Sequence, residues 1–135
     1  MIEYRKFITR KMIKRERDKL FVFGDNTLKK GMGGQAREMR GEKNSVGIIT
    51  KKYPSMSPKS FLTGMSVVRW FGWNFHQFNR LCAHSKRGGT IVWPKDGIGT
   101  GLAELEYRAP LIWQALEKIK KELERDKKND NDNTH

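Results

Sequence analysis

Two short apolar runs in this chain each empty into a glycine-rich turn, and that pairing restricts the folds open to it more than any other feature. Leu20-Phe21-Val22-Phe23 runs into Gly24-Asp25-Asn26 and then Lys29-Lys30-Gly31-Met32-Gly33-Gly34. Thr90-Ile91-Val92-Trp93 runs into Pro94-Lys95-Asp96-Gly97-Ile98-Gly99-Thr100-Gly101. Brief apolar runs bounded by turn residues predict buried strands. After the first turn, Gln35-Ala36-Arg37-Glu38-Met39-Arg40 has good helix formers and stops at Gly41, so the predicted order is strand, glycine turn, helix.

The rest of the chain extends this alternation. Val46 to Thr50 is a second strand, and the two prolines in the segment from Lys51 to Pro58 make it a loop. Val67, Val68, Phe71, Phe75, Phe78, Leu81 and Cys82 recur at three or four. That spacing predicts one helix from Ser66 to about Arg87, closed by Gly88-Gly89. A last helix from Pro110 places Leu111, Ile112, Ala115, Leu116, Ile119 and Leu123 on its buried face, and Thr9 caps a short helix running to Arg17. Alternating β and α elements predict an α/β fold with a mixed, mostly parallel central sheet covered by helices on both faces. A chain of 135 residues holds one core. We expect a single domain over 1–126 and a polar, disordered tail over 127–135.

Composition narrows the partners. No run approaches the roughly 20 apolar residues that cross a bilayer, and the N-terminus lacks the apolar stretch of a signal peptide, so a cytoplasmic protein without membrane association is expected. Cys82 is the only cysteine, which excludes an internal disulfide and a cysteine-based metal cage and reads as a small buried thiol. The net charge of +13 favours anionic partners, and nucleic acid, a free nucleotide or an acidic protein all satisfy it.

The glycine turns say more. Missing side chains let backbone N–H groups approach a phosphate, and a following helix adds its positive end. Such turns also occur only to reverse a chain. Two of them after two strands make two cradles, fit for two phosphates or one diphosphate. Neither has the Gly-Lys-Ser/Thr ending of a Walker loop or the Gly-x-Gly-x-x-Gly spacing of a dinucleotide site.

These residues resemble the macro domains, which bind ADP-ribose and in some members remove it from modified proteins or nucleic acids. Phe21-Val22-Phe23-Gly24-Asp25-Asn26 with Gly31-Met32-Gly33-Gly34-Gln35-Ala36 is similar to that family's strand ending in Asn, glycine loop and small helix-opening residue. Ile91-Val92-Trp93-Pro94 with Ile98-Gly99-Thr100-Gly101-Leu102 is similar to its later strand, Pro and Ile-Gly-x-Gly-Leu run. The short, divergent macro-like proteins of bacteria and phages are the nearest in kind. The upstream segment whose Asp holds adenine has no clear counterpart here.

The resemblance implies a three-layer sandwich and an ADP-ribose-like ligand, free or attached to a macromolecule. It implies Asn26 facing the distal ribose, with Gly24 beside it. Gly31, Met32, Gly33, Gly34, Gln35 and Ala36 would wrap that ribose and one phosphate. Gly97, Ile98, Gly99, Thr100, Gly101 and Leu102 would offer backbone donors to the diphosphate.

Were the chain an ADP-ribosyl hydrolase, Asn26, Asp25 and Asp96 would be its catalytic candidates, the two carboxylates orienting a water or a ribose hydroxyl. Each Asp also has an ordinary turn role. No carboxylates are paired at an evident spacing, and no Ser-His-Asp set is present. His76 and His84 lie outside any metal spacing, so neither metal nor cofactor is expected. Trp70 and Trp73 near Arg69 and Arg80 either stack bases or fill the core. Lys51-Lys52 and Lys29-Lys30 are expected to be solvated, the latter pair beside the first cradle. Two further readings stay open: a basic nucleic-acid-binding module without catalysis, and a factor holding an acidic partner in a retired pocket.

Overall fold

The computed structural model describes residues 1–101 and 103–133, with side chains given as far as Asp126. Its centre is one sheet of four strands, β1 (Ile2–Arg5), β2 (Leu20–Asn26), β3 (Ser45–Lys51) and β4 (Ile91–Pro94), in the order β1-β4-β2-β3. All three pairings are parallel, so the described sheet is wholly parallel rather than mixed. Each crossover carries helix, as parallel pairing demands. Sequence reading missed β1, because Ile-Glu-Tyr-Arg has no apolar run. It lies at the sheet edge, where charged side chains fit and block further pairing.

Alternation along the strands divides the core in two. Leu20, Val22, Ile91 and Trp93 point to one face and pack with α3 (Val67–Trp73), α4 (Phe75–Lys86), α5 (Leu105–Arg108) and α6 (Pro110–Asn133). Phe21, Phe23 and Val92 point to the other and pack with α1 (Arg10–Arg15) and α2 (Ala36–Met39) through Ile13, Ala36 and Met39. The result is three layers, helix on sheet on helix. Thr9 caps α1 as expected, its hydroxyl accepting from the Met12 N–H at 3.2 Å. The tail expected over 127–135 falls where side chains, and at the last two positions the backbone, lie outside the described residues.

The single helix expected from Ser66 to Arg87 is two helices, broken at the buried Asn74. Its Oδ1 accepts from the Ile49 N–H at 2.8 Å and its Nδ2 donates to the Trp70 carbonyl at 3.1 Å. The Trp70 indole in turn donates to the Ile49 carbonyl at 2.7 Å. These two side chains satisfy backbone groups of β3, the other edge strand, where no neighbouring strand is present to do so. The buried stripe therefore runs Trp70, Asn74, Phe78, Leu81, Ser85. Reading by hydrophobicity alone passed over its two polar members and put Val68, Phe71 and Phe75 inside, whereas all three are exposed. Leu111 of α6 is likewise exposed, while Ile112, Leu116 and Leu123 are buried. Among the described residues no helix is long and apolar enough to cross a membrane.

One irregularity positions everything functional. β2 and β4 are neighbours, but they pair only at Leu20 with Ile91 and Phe21 with Val92. β4 ends at Pro94, which has no N–H to continue a ladder. The chain then leaves β2 for α2 on one face and leaves β4 for α5 and α6 on the other. Divergence of this kind opens a crevice at the carboxyl ends of parallel strands.

Replacing Asn74 by Leu keeps the volume and removes the acceptor for Ile49. We expect it to lower unfolding stability by about 1–3 kcal/mol in urea titrations. Val68→Ser, on the exposed side of α3, should change it by no more than about 0.5 kcal/mol. Equal effects would mean that Asn74 does not carry the edge of the sheet.

Candidate functional site

The crevice is a cleft of about 260 Å³. Gly24, Asp25 and Asn26 of β2 form its base, and the loops after β2 and β4 form its walls. Of the residues expected to touch ligand, Gly24, Asn26, Gly31, Gly33 to Ala36 and Gly97 to Gly101 all line it. Met32 does not, its side chain being exposed, and Leu102 lies outside the described residues. Both carboxylates singled out, Asp25 and Asp96, line it too.

The first loop is held by side chains. Asn26 folds back on it, Nδ2 donating to the Lys30 carbonyl at 2.8 Å and Oδ1 accepting from the Leu28 N–H at 3.0 Å. Arg40, just past α2, donates through Nε to the Gly31 carbonyl at 2.9 Å and through Nη2 to the Lys30 carbonyl at 3.1 Å. The same Nη2 meets Asp25 Oδ1 at 2.7 Å. Asp25 also accepts from the Asn26 N–H at 2.8 Å, so its carboxylate is committed to holding the turn. Room for it comes from Gly47 on β3, where a Cβ would stand 2.8 Å from Asp25 Oδ2. α2 has only four residues, so the positive helix end expected behind this loop contributes little, and the loop's own N–H groups are what remains.

The second loop turns at Gly99, whose φ of +79° favours glycine and where a Cβ would stand 2.9 Å from Leu105 Cδ2. Its carbonyl accepts from the Leu105 N–H at 2.7 Å, and the Thr100 hydroxyl donates to the Asp96 carbonyl at 2.7 Å. Among the described residues, no protein acceptor takes the N–H groups of Gly33, Gly34 and Gln35 in the first loop. The same holds for Ile98, Gly99 and Thr100 in the second. Two sets of backbone donors thus line one cleft.

Charge around it is uneven. Arg40 and Asp25 cancel, which leaves Lys30 and Lys51 against Asp96 among the lining side chains. Asp96 has no ion-pair partner among the described residues and is exposed at the cleft. Lys51 contradicts the expectation of a solvated residue, being only 8% exposed. Its Nζ donates to the Ser55 carbonyl at 2.8 Å and lies 4.9 Å from the centre of the Phe61 ring. Burial holds this ammonium below the ordinary lysine range, with Glu104 pulling the other way. Lys51 therefore gives up its proton more readily than a solvated lysine does. Sequence reading missed Arg40, Thr50, Lys51, Pro54 and Ala103, all of which line the cleft. For Lys51 a signal existed, since it ends the strand Val46 to Thr50 and pairs in register with Asn26.

The chain belongs to a family of unknown function (DUF7831), which matches residues 3–119. The match runs from within β1 into the first part of α6 and contains every residue lining the cleft. No match was found among curated proteins or among solved structures.

Arg40→Met should free the first loop and leave the Asp25 carboxylate buried without its cation. The expected cost is roughly 2–3 kcal/mol of unfolding stability, with faster hydrogen exchange across Gly31 to Gln35. Unchanged exchange there would show that Arg40 does not hold the loop.

Proposed function

We propose that the chain binds ADP-ribose or a related NAD-derived nucleotide in this cleft, in line with the resemblance of its two glycine motifs to those of macro domains. The supporting observation is that two turns far apart in sequence line one cleft with backbone N–H groups that have no acceptor among the described residues. Such groups, with Lys30 and Lys51, match the oxygens and charge of a diphosphate. The volume is slightly below the roughly 300–1,000 Å³ of sites that enclose a whole drug-sized ligand, and no aromatic side chain lines it. The ribose and phosphates therefore enter, and the base stays outside. A cytoplasmic location is part of the same proposal, in keeping with the absence of a membrane-crossing helix among the described residues.

The finer reading is an ADP-ribosyl hydrolase, with retention of a nucleotide signal as the non-catalytic form of the same site. Asp96 carries the base role, because its carboxylate has no described ion-pair partner whereas Asp25 is spent on Arg40. Lys51, whose backbone is in register with that of Asn26, is a second ionisable group lining the cleft.

Calorimetry with ADP-ribose tests binding. The wild type should bind and Gly101→Val should not, with an unchanged melting temperature, because a Cβ at Gly101 meets no protein atom and projects from a cleft residue. A folded wild type that takes up no ligand would sink the proposal. Release of ADP-ribose from a modified protein or DNA tests catalysis. Asp96→Asn should slow it about a hundredfold or more while affinity is kept. If the neutral Lys51 amine takes part, the rate rises as protons leave it and levels off below the ordinary lysine value of 10.5; Lys51→Met removes that dependence. Wild-type turnover in both variants would remove Asp96 and Lys51 from catalysis, and no release by the wild type would leave a binding protein only.

A further inference from the structure

Between Glu42 and Asp96 the chain has no Asp or Glu, yet it carries nine Lys and Arg from Lys43 to Lys95. None of the nine has an ion-pair partner among the described residues. By contrast Arg5, Arg10, Arg17, Lys19, Arg40 and Arg108, which lie outside the stretch, are all paired. Lys6, Lys11, Lys14, Arg15, Lys29, Lys30, Arg37, Lys118 and Lys121 are also without an ion pair among the described residues, so what sets the middle stretch apart is that it holds no carboxylate to offset its cations.

The helices α3 and α4 lie within this stretch and expose three aromatic side chains, Phe71 at 41%, Trp73 at 38% and Phe75 at 52%. The Phe71 and Phe75 rings are 6.1 Å apart, and Phe71 rests 5.3 Å from the buried Phe78, itself 5.5 Å from Trp70. Phe71 is thus anchored on the core, and Phe75 on Phe71. Arg69 and Arg80 are exposed on the same helices. Arg80 is fixed by donating to the Lys43 carbonyl at 2.6 Å and the Ser45 carbonyl at 3.2 Å, bonds that leave its charge uncompensated. The field is felt by His84 on α4: burial lowers its proton affinity, and Arg87, the N-terminus and Arg80 add to that against the Thr90 carbonyl.

We propose that the outer face of α3 and α4 binds single-stranded nucleic acid, with Phe71, Trp73 and Phe75 stacking on bases and Arg69 and Arg80 meeting phosphates. Rings half out of the surface gain most from unstacked bases, which a duplex does not offer. A second copy of the chain is a poor occupant, because pairing this face with itself would bring unpaired cations together. The surface is separate from the cleft and does not depend on the nucleotide reading.

Fluorescence anisotropy with the full chain decides the matter, using a labelled oligo(dT) of about 16 nucleotides and a hairpin duplex of equal charge. The single strand should bind more tightly than the duplex and weaken from about 50 to about 200 mM salt. Phe71→Ser with Phe75→Ser should cost about tenfold or more in affinity. Arg69→Glu, at an exposed position that leaves the fold untouched, should weaken binding and flatten the salt slope. Both variants should keep the wild-type affinity for ADP-ribose, or its absence, so the two proposals fail separately. Equal binding of the duplex, indifference to the aromatic changes, an equal loss on Lys118→Glu with Lys121→Glu on α6, or tighter binding of an acidic peptide would each overturn it.

Discussion

The early end of the β2–β4 pairing is the constraint on which the rest of the molecule depends. Two neighbouring parallel strands normally stay bonded along their shared length, because unpaired backbone groups inside a protein are costly. Here the ladder stops after two residue pairs, and the chain continues from β2 to one face and from β4 to the other. Backbone groups released by that parting must find partners. Some do: the Gly31 and Lys30 carbonyls take the Arg40 guanidinium, and the Gly99 carbonyl takes the Leu105 N–H. Others, including the N–H groups of Gly33, Gly34, Ile98 and Thr100, find none among the described residues.

Several local choices run against stability and all cluster here. Lys51 is buried with no carboxylate bonded to it, compensated by one carbonyl and a ring face. Two residues other than glycine adopt left-handed backbone, Lys29 at φ 54° and Glu104 at φ 46°, and each stands just outside a glycine loop. Such strain persists only where surrounding structure enforces it, and it gathers at sites of function. Asp25 shows how the enforcement works. Its single carboxylate holds the Asn26 N–H and, through Arg40, the far side of the first loop, so one ion pair fixes the cleft wall.

How much of this the sequence disclosed follows from which signals are local. The strands β2, β3 and β4 and both glycine turns are apolar or glycine-dense runs, and each was legible within a few residues. β1 was not, because an edge strand with Glu3 and Arg5 has no apolar pattern. The stripe of α3 and α4 was misplaced because two of its members, Asn74 and Ser85, are polar and earn burial through hydrogen bonds made only in the folded state. Lys51 escaped for the same reason: its burial is set by the loop carrying Ser55 and by Phe61, neither of which is a neighbour in a helical or strand pattern. Tertiary partners, not propensities, decided these positions.

The misplaced stripe also changes what the net charge means. Had Phe71 and Phe75 been inside, +13 would describe a generally basic surface whose cations answer any anion over distances set by screening. With those rings outside, the charges gain a geometry. Cations on the acid-free stretch lack carboxylates to fold against, while Arg5, Arg10, Arg17 and Arg40 are paired within the protein. Paired charges contribute little to the far field, so the unpaired ones dominate what an approaching polyanion meets first. That stretch opens at the head of β3, passes Lys51 in the cleft and continues through α3 and α4 to β4. Lys51 and the helix face therefore lie on one run free of acidic residues, while the carboxylates of the cleft, Asp25 and Asp96, stand outside that run.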